Sequence, residues 1–144
     1  MIDSSKPPPM PPAGSAFAQL HQYLHHTRLL GSISSALYYD QNTVMPAAGA
    51  AWRGDQLALL AGQLHERQSS AEFGDLLAAA EAELEAELGA DAPPERRRNL
   101  ELLRLELERQ RSLDPQLVQA LAKAQSRGNA IWQDARARND FSAF

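Results

Sequence analysis

The sequence predicts an all-α fold of about five helices packed as antiparallel hairpins. Three observations carry this expectation. Apolar residues recur at steps of three and four along most of the chain, which places them on helical stripes. The periodic segments are bounded by helix punctuation at Met45-Pro46, Gly89 and Asp114-Pro115. No segment alternates apolar and polar residues over a useful length, as a half-buried strand would, and nothing repeats at a solenoid period.

Taken in order, residues 1–14 hold five prolines and one glycine. Proline lacks a backbone donor and fixes its own φ, so this stretch reads as a disordered or extended arm ahead of a helical domain over 15–144. A first helix is expected from about Ser15 to Asn42. Its stripe is Phe17, Leu20, Leu24, Thr27, Gly31, Ser34 and Tyr38. The small residues from Gly31 to Ala36 predict a close helix neighbour and a kink near Gly31. A second helix is expected from about Ala48 to Arg67, with Leu57, Leu60, Ala61 and Leu64 inward and Trp52 near its start. Ser69 to Glu72 read S-x-x-E, a capping box that opens a third helix running to Leu88. That helix buries Phe73, Leu76, Leu77, Ala80, Leu84 and Leu88. A fourth, from about Pro94 to Arg111, carries the seam Leu100, Leu103 and Leu107, with Arg97–Glu101 and Arg104–Glu108 as i, i+4 pairs. Asp114 caps a fifth helix, from Pro115 to Asn139, with Leu117, Leu121, Ala124, Gly128, Ile131, Trp132 and Ala135 on its buried stripe.

Composition narrows the function. The 144 residues suit one domain and can bury a core without staples. There is no cysteine, which removes disulfides and cysteine-ligated zinc. Fourteen basic against 18 acidic residues, a net charge of −4, argue against a dedicated nucleic-acid binder. The prolines of the first residues stand where a signal peptide needs an apolar run, and no stretch is long and apolar enough for a membrane span. A cytoplasmic protein without nucleic-acid or membrane partners is expected.

Chemistry-bearing motifs are sparse. His65-Glu66 begins an H-E-x-x-H string, but Ser69 stands at the second histidine position, so His65 reads as an exposed polar helix residue. His21 and His25 have i, i+4 spacing but no obvious third ligand, and a solvated helix face is the default reading. There is no G-x-S-x-G elbow and no glycine-rich phosphate loop. The acids Glu81, Glu83, Glu85 and Glu87 spread around their helix and read as a charged face, and Glu95 to Arg98 as surface pairing. No metal-binding or catalytic residue is therefore assigned, and no cofactor is expected in this chain.

Two strings do stand out. Tyr39 to Pro46 (YDQNTVMP) close the first helix with acid, amide and hydroxyl groups. Trp132 to Phe144 (WQDARARNDFSAF) close the fifth with a polar pattern and with Phe141 and Phe144. The stretch Leu37 to Leu60 resembles the amino-terminal region of the carboxypeptidase Taq family of metallocarboxypeptidases. Asp40, Thr43, Met45 and Pro46 match the family's W-D-x-x-T-x-M-P signature. Tyr39 departs from it but keeps an aromatic ring. Arg53, Gln56, Leu57 and Ala58 match the R-x-x-Q-L-A string that follows. Trp132, Ala135, Arg136, Asn139, Asp140, Phe141 and Phe144 resemble the family's W-x-x-A-R-x-x-N-D-F-x-x-F.

The resemblance implies the amino-terminal part of a larger all-helical, zincin-like peptidase that removes single residues from peptide carboxyl ends. Such enzymes use one divalent metal, usually zinc, held by H-E-x-x-H and a later glutamate. Their amino-terminal helices wall a substrate groove, and homodimers are common. The H-E-x-x-H string is absent from these 144 residues, so none of the family's catalytic or metal residues carries over. The chain is expected to be a fragment that is inactive alone, with the catalytic segment of the same enzyme as its partner. Whether it is an enzyme in its own right stays open at this point. Asp40, Thr43, Met45, Pro46, Arg53, Gln56, Trp132, Arg136, Asn139, Asp140 and Phe141 are expected to have structural or groove roles and no catalytic one. The first helix and the Asp40–Pro46 turn are expected to brace the groove, and Arg136 and Asp140 to tie the last helix to the catalytic half. The alternative is a free-standing helical module that self-associates or binds a partner helix.

Overall fold

The computed structural model describes residues 14–89 and 92–142, without the Leu88 side chain. The expected proline arm, apart from Gly14, and Phe144 lie outside these residues. Five helices follow one another: α1 Ala16–Thr43, α2 Ala50–Ser69, α3 Ala71–Leu88, α4 Pro94–Arg111 and α5 Pro115–Arg138. A short 3-10 turn, Ala47–Gly49, leads into α2. The described residues contain no strand, so the all-α class stands.

Local chemistry sets the ends. The Ser15 hydroxyl accepts the Ala18 amide and starts α1. Asp114 accepts the amides of Gln116 and Leu117, with Pro115 at the first position of α5. Gly89 stops α3 at φ 48°, where a Cβ is disfavoured. The capping serine of α3 is Ser70, one residue beyond the expected Ser69. Ser70 is extended, and its hydroxyl accepts the Phe73 amide. Ser69 remains in α2 and donates to the His65 carbonyl.

α2 and α3 run end to end, interrupted only at Ser70, and α1 lies antiparallel along both. Its amino-terminal half packs on α3, where Glu83 accepts the amides of Ala16 and Phe17. Its carboxy-terminal half packs on α2. At 28 residues α1 is about 42 Å long, enough to span the break. α4 folds back along α3 and α5 folds back along α2, so neighbours pair as antiparallel hairpins. The junction itself is latched. The Tyr23 hydroxyl donates to the Arg67 carbonyl at 2.9 Å, and the Arg67 guanidinium lies 4.2 Å from the Tyr23 ring centroid. Arg111 donates to the carbonyls of Ser69 and Ser70.

The apolar core sits between α1, α3 and α4. Leu20, Tyr23, Phe73, Leu77, Ala80, Leu84, Leu100 and Leu107 are buried there, with Tyr23 and Phe73 stacked at 5.7 Å. The contact of α2 with α5 is built differently. Its most enclosed groups are Gly54, Leu57, Ser126 and Ala135. At Gly62 the helices come so close that a Cβ would lie 2.7 Å from the Gln119 side chain.

Several expectations are corrected. Leu117, Leu121 and Trp132 are exposed, because α5 turns its small Ser126 and Ala135 towards the bundle. Trp52 is exposed as well. Nothing approaches within 4 Å of a Cβ placed at Gly31, so no helix comes close at that glycine, and α1 runs unbroken through it. Arg97 pairs with Glu85, and Arg104 with Glu81 through two nitrogens, both across to α3 instead of along α4. Glu81 and Glu85 project towards α4 and take the arginine forks before Glu101 and Glu108 can.

Candidate functional site

The Asp40–Pro46 string forms the last turn of α1 and the link that leads to α2. The Asp40 carbonyl accepts the amides of Val44 and Met45 and so closes α1. Thr43 donates back to the Tyr39 carbonyl at 2.8 Å. Met45 is half-buried, with its side chain over Gly49, and Pro46 caps the short turn by accepting the Gly49 amide.

Arg53 ties this turn to α2. Its guanidinium donates to the Leu37 carbonyl, to the Asp40 carboxylate at 2.5 Å and to the Gln56 amide oxygen at 3.0 Å. The Arg53 side chain is only 11% exposed, and three acceptors meet its fork. Burial of a cation is tolerable when it is so paired. Asp40, Arg53 and Gln56, assigned from separate strings, are thus one hydrogen-bonded unit.

Two residues of the same turn do more than the sequence reading assigned them. Gln41 is buried and bridges to α5: its amide nitrogen donates to the Ser126 carbonyl at 3.0 Å, and its oxygen accepts the Ser126 hydroxyl at 3.1 Å. Asn42 accepts from Asn129 at 2.9 Å and from Gln133 at 3.1 Å. The available signal was phase. Gln41 follows the stripe position Tyr38 by three residues, so it lies on the inward face and needs a polar partner.

The second string ends α5 beside the first. Trp132 carries the Arg136 guanidinium 5.3 Å from its ring. Asn139 is left-handed at φ 54° and terminates the helix, a conformation asparagine tolerates. The Asp140 amide donates to the Ala135 carbonyl. The Ser142 hydroxyl and amide beside the Asp140 carboxylate hold it below its ordinary value of 3.8, the amide donating to it at 3.1 Å. Phe141 is exposed. Among the described residues Arg136 and Asp140 form no ion pair, and Arg138 pairs with Asp134 instead. The two strings therefore share one end of the molecule, joined through Asn42.

The profile of the carboxypeptidase Taq (M32) metallopeptidase family matches residues 19–144. The chain belongs to this family. A thermostable carboxypeptidase, Thermostable carboxypeptidase 1 of Thermus thermophilus, is 30% identical over 130 residues. That match takes in 90% of this chain but 25% of the relative, so the chain spans about a quarter of the relative's length. No solved structure matches the chain.

The carboxypeptidase Taq family is a family of metallopeptidases, and histidine is a common metal ligand. His65 is not the exposed residue expected. It is buried at 4% exposure, and its Nδ1 lies 3.2 Å from the Gln110 side chain. The fourth helix covers this end of α2, which a single-helix reading could not show. His21 and His25 are exposed on α1. Among the described residues no group of three His, Asp or Glu side chains could hold an ion, so these residues do not fit a metal centre. No described helix is long and apolar enough to cross a membrane.

Proposed function

We propose that this chain forms the amino-terminal helical portion of a metallocarboxypeptidase that releases carboxyl-terminal amino acids from peptides. In this reading it walls one side of the substrate groove and does not hydrolyse peptides alone. The divalent ion, zinc by this proposal, and the catalytic groups come from the rest of the same polypeptide, acting in the cytoplasm as a monomer or homodimer. One observation carries the reading: the two family strings, about ninety residues apart in sequence, meet through the Asn42–Gln133 hydrogen bond, with Asn129 beside it on the same Asn42 oxygen. The Asp40–Arg53–Gln56 unit fixes the same end. Neither string is needed to fill the core of α1, α3 and α4, which supports a role at a surface.

The test uses the purified 144-residue chain with added zinc and an unblocked peptide, scored by chromatography for free amino acids. No release is expected. Release that a chelator abolishes would overturn the proposed inactivity. The gene is then followed beyond the Phe144 codon, and the polypeptide it encodes is assayed in the same way. Absence of carboxyl-terminal release by that polypeptide would sink the peptidase reading.

A second reading, a free-standing interaction module, draws on Tyr39, Val44 and Trp52, which are all more than 70% exposed at the α1–α2 end. The mass in solution separates the two. A concentration-dependent oligomer lost in Trp52→Ser favours the module, and a well-behaved monomer removes its support.

A further inference from the structure

We infer that the depression between the ends of α1 and α5 is a seat for the main chain of an extended peptide. Tyr38, Asn42, Gln125, Gly128, Asn129 and Trp132 line it. The inference rests on the peptidase reading for the class of ligand, and on the following geometry for the place.

The lining carries no formal charge, yet three of its five side chains are primary amides. A primary amide offers two donors and an acceptor, the same groups in the same plane as a peptide bond. Desolvating it costs far less than desolvating an ion. Two of the amides, Asn42 and Asn129, are also held in place. Asn42 donates to the Tyr38 carbonyl at 2.7 Å and accepts from Asn129 and Gln133. That leaves the Asn129 oxygen and its second N–H for a ligand. Gln125 has no hydrogen-bond partner among the described residues.

The floor of the depression is Gly128. A Cβ built there meets nothing within 4 Å, so the missing side chain is not required by packing inside the molecule. Its absence lets another backbone approach α5 closely. Tyr38 and Trp132 flank it with aromatic surface suited to apolar side chains, and Arg136 braces the Trp132 ring. An uncharged amide ladder between two aromatic rings, over a bare stretch of helix, recognises main chain with little regard to sequence.

The experiment titrates the 144-residue chain with an acetylated and amidated nonapeptide of alanine, glycine and serine, followed by heteronuclear NMR. Saturable shifts are expected in the side-chain amide signals of Asn42, Gln125 and Asn129 and in the Trp132 indole signal. Gly128→Leu fills the floor and is expected to abolish them, while raising helix propensity and leaving the fold intact. Asn129→Ala is expected to weaken binding roughly five-fold, the loss of about one hydrogen bond. The inference is overturned by an absence of shifts at millimolar peptide or by unchanged shifts in Gly128→Leu. It is equally overturned if the same signals answer maltotriose and not the peptide, since an aromatic and amide lining also suits neutral sugars. These results are independent of whether the longer polypeptide releases carboxyl-terminal residues, so failure here is distinct from failure of the peptidase reading.

Discussion

Between α1, α3 and α4, Leu77 and Ala80 are fully buried among leucines, Phe73 and Tyr23. Between α1, α2 and α5, the enclosed groups include Gln41, Ser126 and the Arg53 guanidinium, and the helices meet over Gly54 and Gly62. The first half is held by apolar burial, which is strong but indifferent to register. The second is held by directional bonds, which contribute less each but admit one alignment of the helices. Both family strings lie in the second half. A surface that has to present fixed groups gains more from register than from additional apolar area.

The comparison can be broken by substitution, read as unfolding free energy in urea. The largest loss is expected for Leu77→Ala, at 0% exposure, costing about 2–5 kcal/mol as a cavity opens in the apolar half. Arg53→Leu comes next, at roughly 1–3 kcal/mol, because it strands the Leu37 carbonyl and the Asp40 carboxylate. Arg104→Ala, which removes a half-exposed ion pair with Glu81, is expected to cost less than about 1 kcal/mol. If Arg53→Leu were as mild as Arg104→Ala, the polar clamp would be no clamp.

The smallest effect concerns pH. The folded pKa of Asp140 is lowered, so the native turn binds fewer protons than the unfolded chain. Its contribution is present above the unfolded value and fades as pH falls through the folded one. Ser142→Ala is expected to move the Asp140 midpoint, followed by carboxylate NMR, up towards 3.8.

The halves also differ in how well the sequence reveals them. In the apolar half, Phe73, Leu77, Ala80 and Leu84 repeat at helical spacing, so stripe and burial coincide. Gly89, Pro94 and Asp114-Pro115 mark the ends because each acts on its own backbone. In the polar half, the inward face of α5 is small and hydrophilic, and the hydrophobic pattern points to Leu117 and Leu121, which face solvent. His65, Arg97 and Arg104 depart from the sequence expectation for one reason: each is satisfied by a residue on another helix, and spacing along one helix carries no information about the next. Of the candidate site, Asp40, Arg53 and Gln56 were legible as strings, but their union was not. Gln41 and Asn42 became bridges only once α5 was in place.

α1, lying across the break at Ser70, also orders events in time. Its first turn is secured by Glu83, 67 residues later in the chain. At synthesis rates of about 5–20 residues per second, the wait is on the order of 3 to 13 seconds. Until Phe73 emerges α1 has no apolar partner on α3, and its Gly31–Ser35 stretch of small, poor helix formers gives it little stability alone. The first turn of α1 is therefore fastened only after α2 and most of α3 have been made, and a nascent chain halted before Phe73 leaves Leu20 and Tyr23 without their stacked and apolar partners, exposed to whatever protease or chaperone meets it.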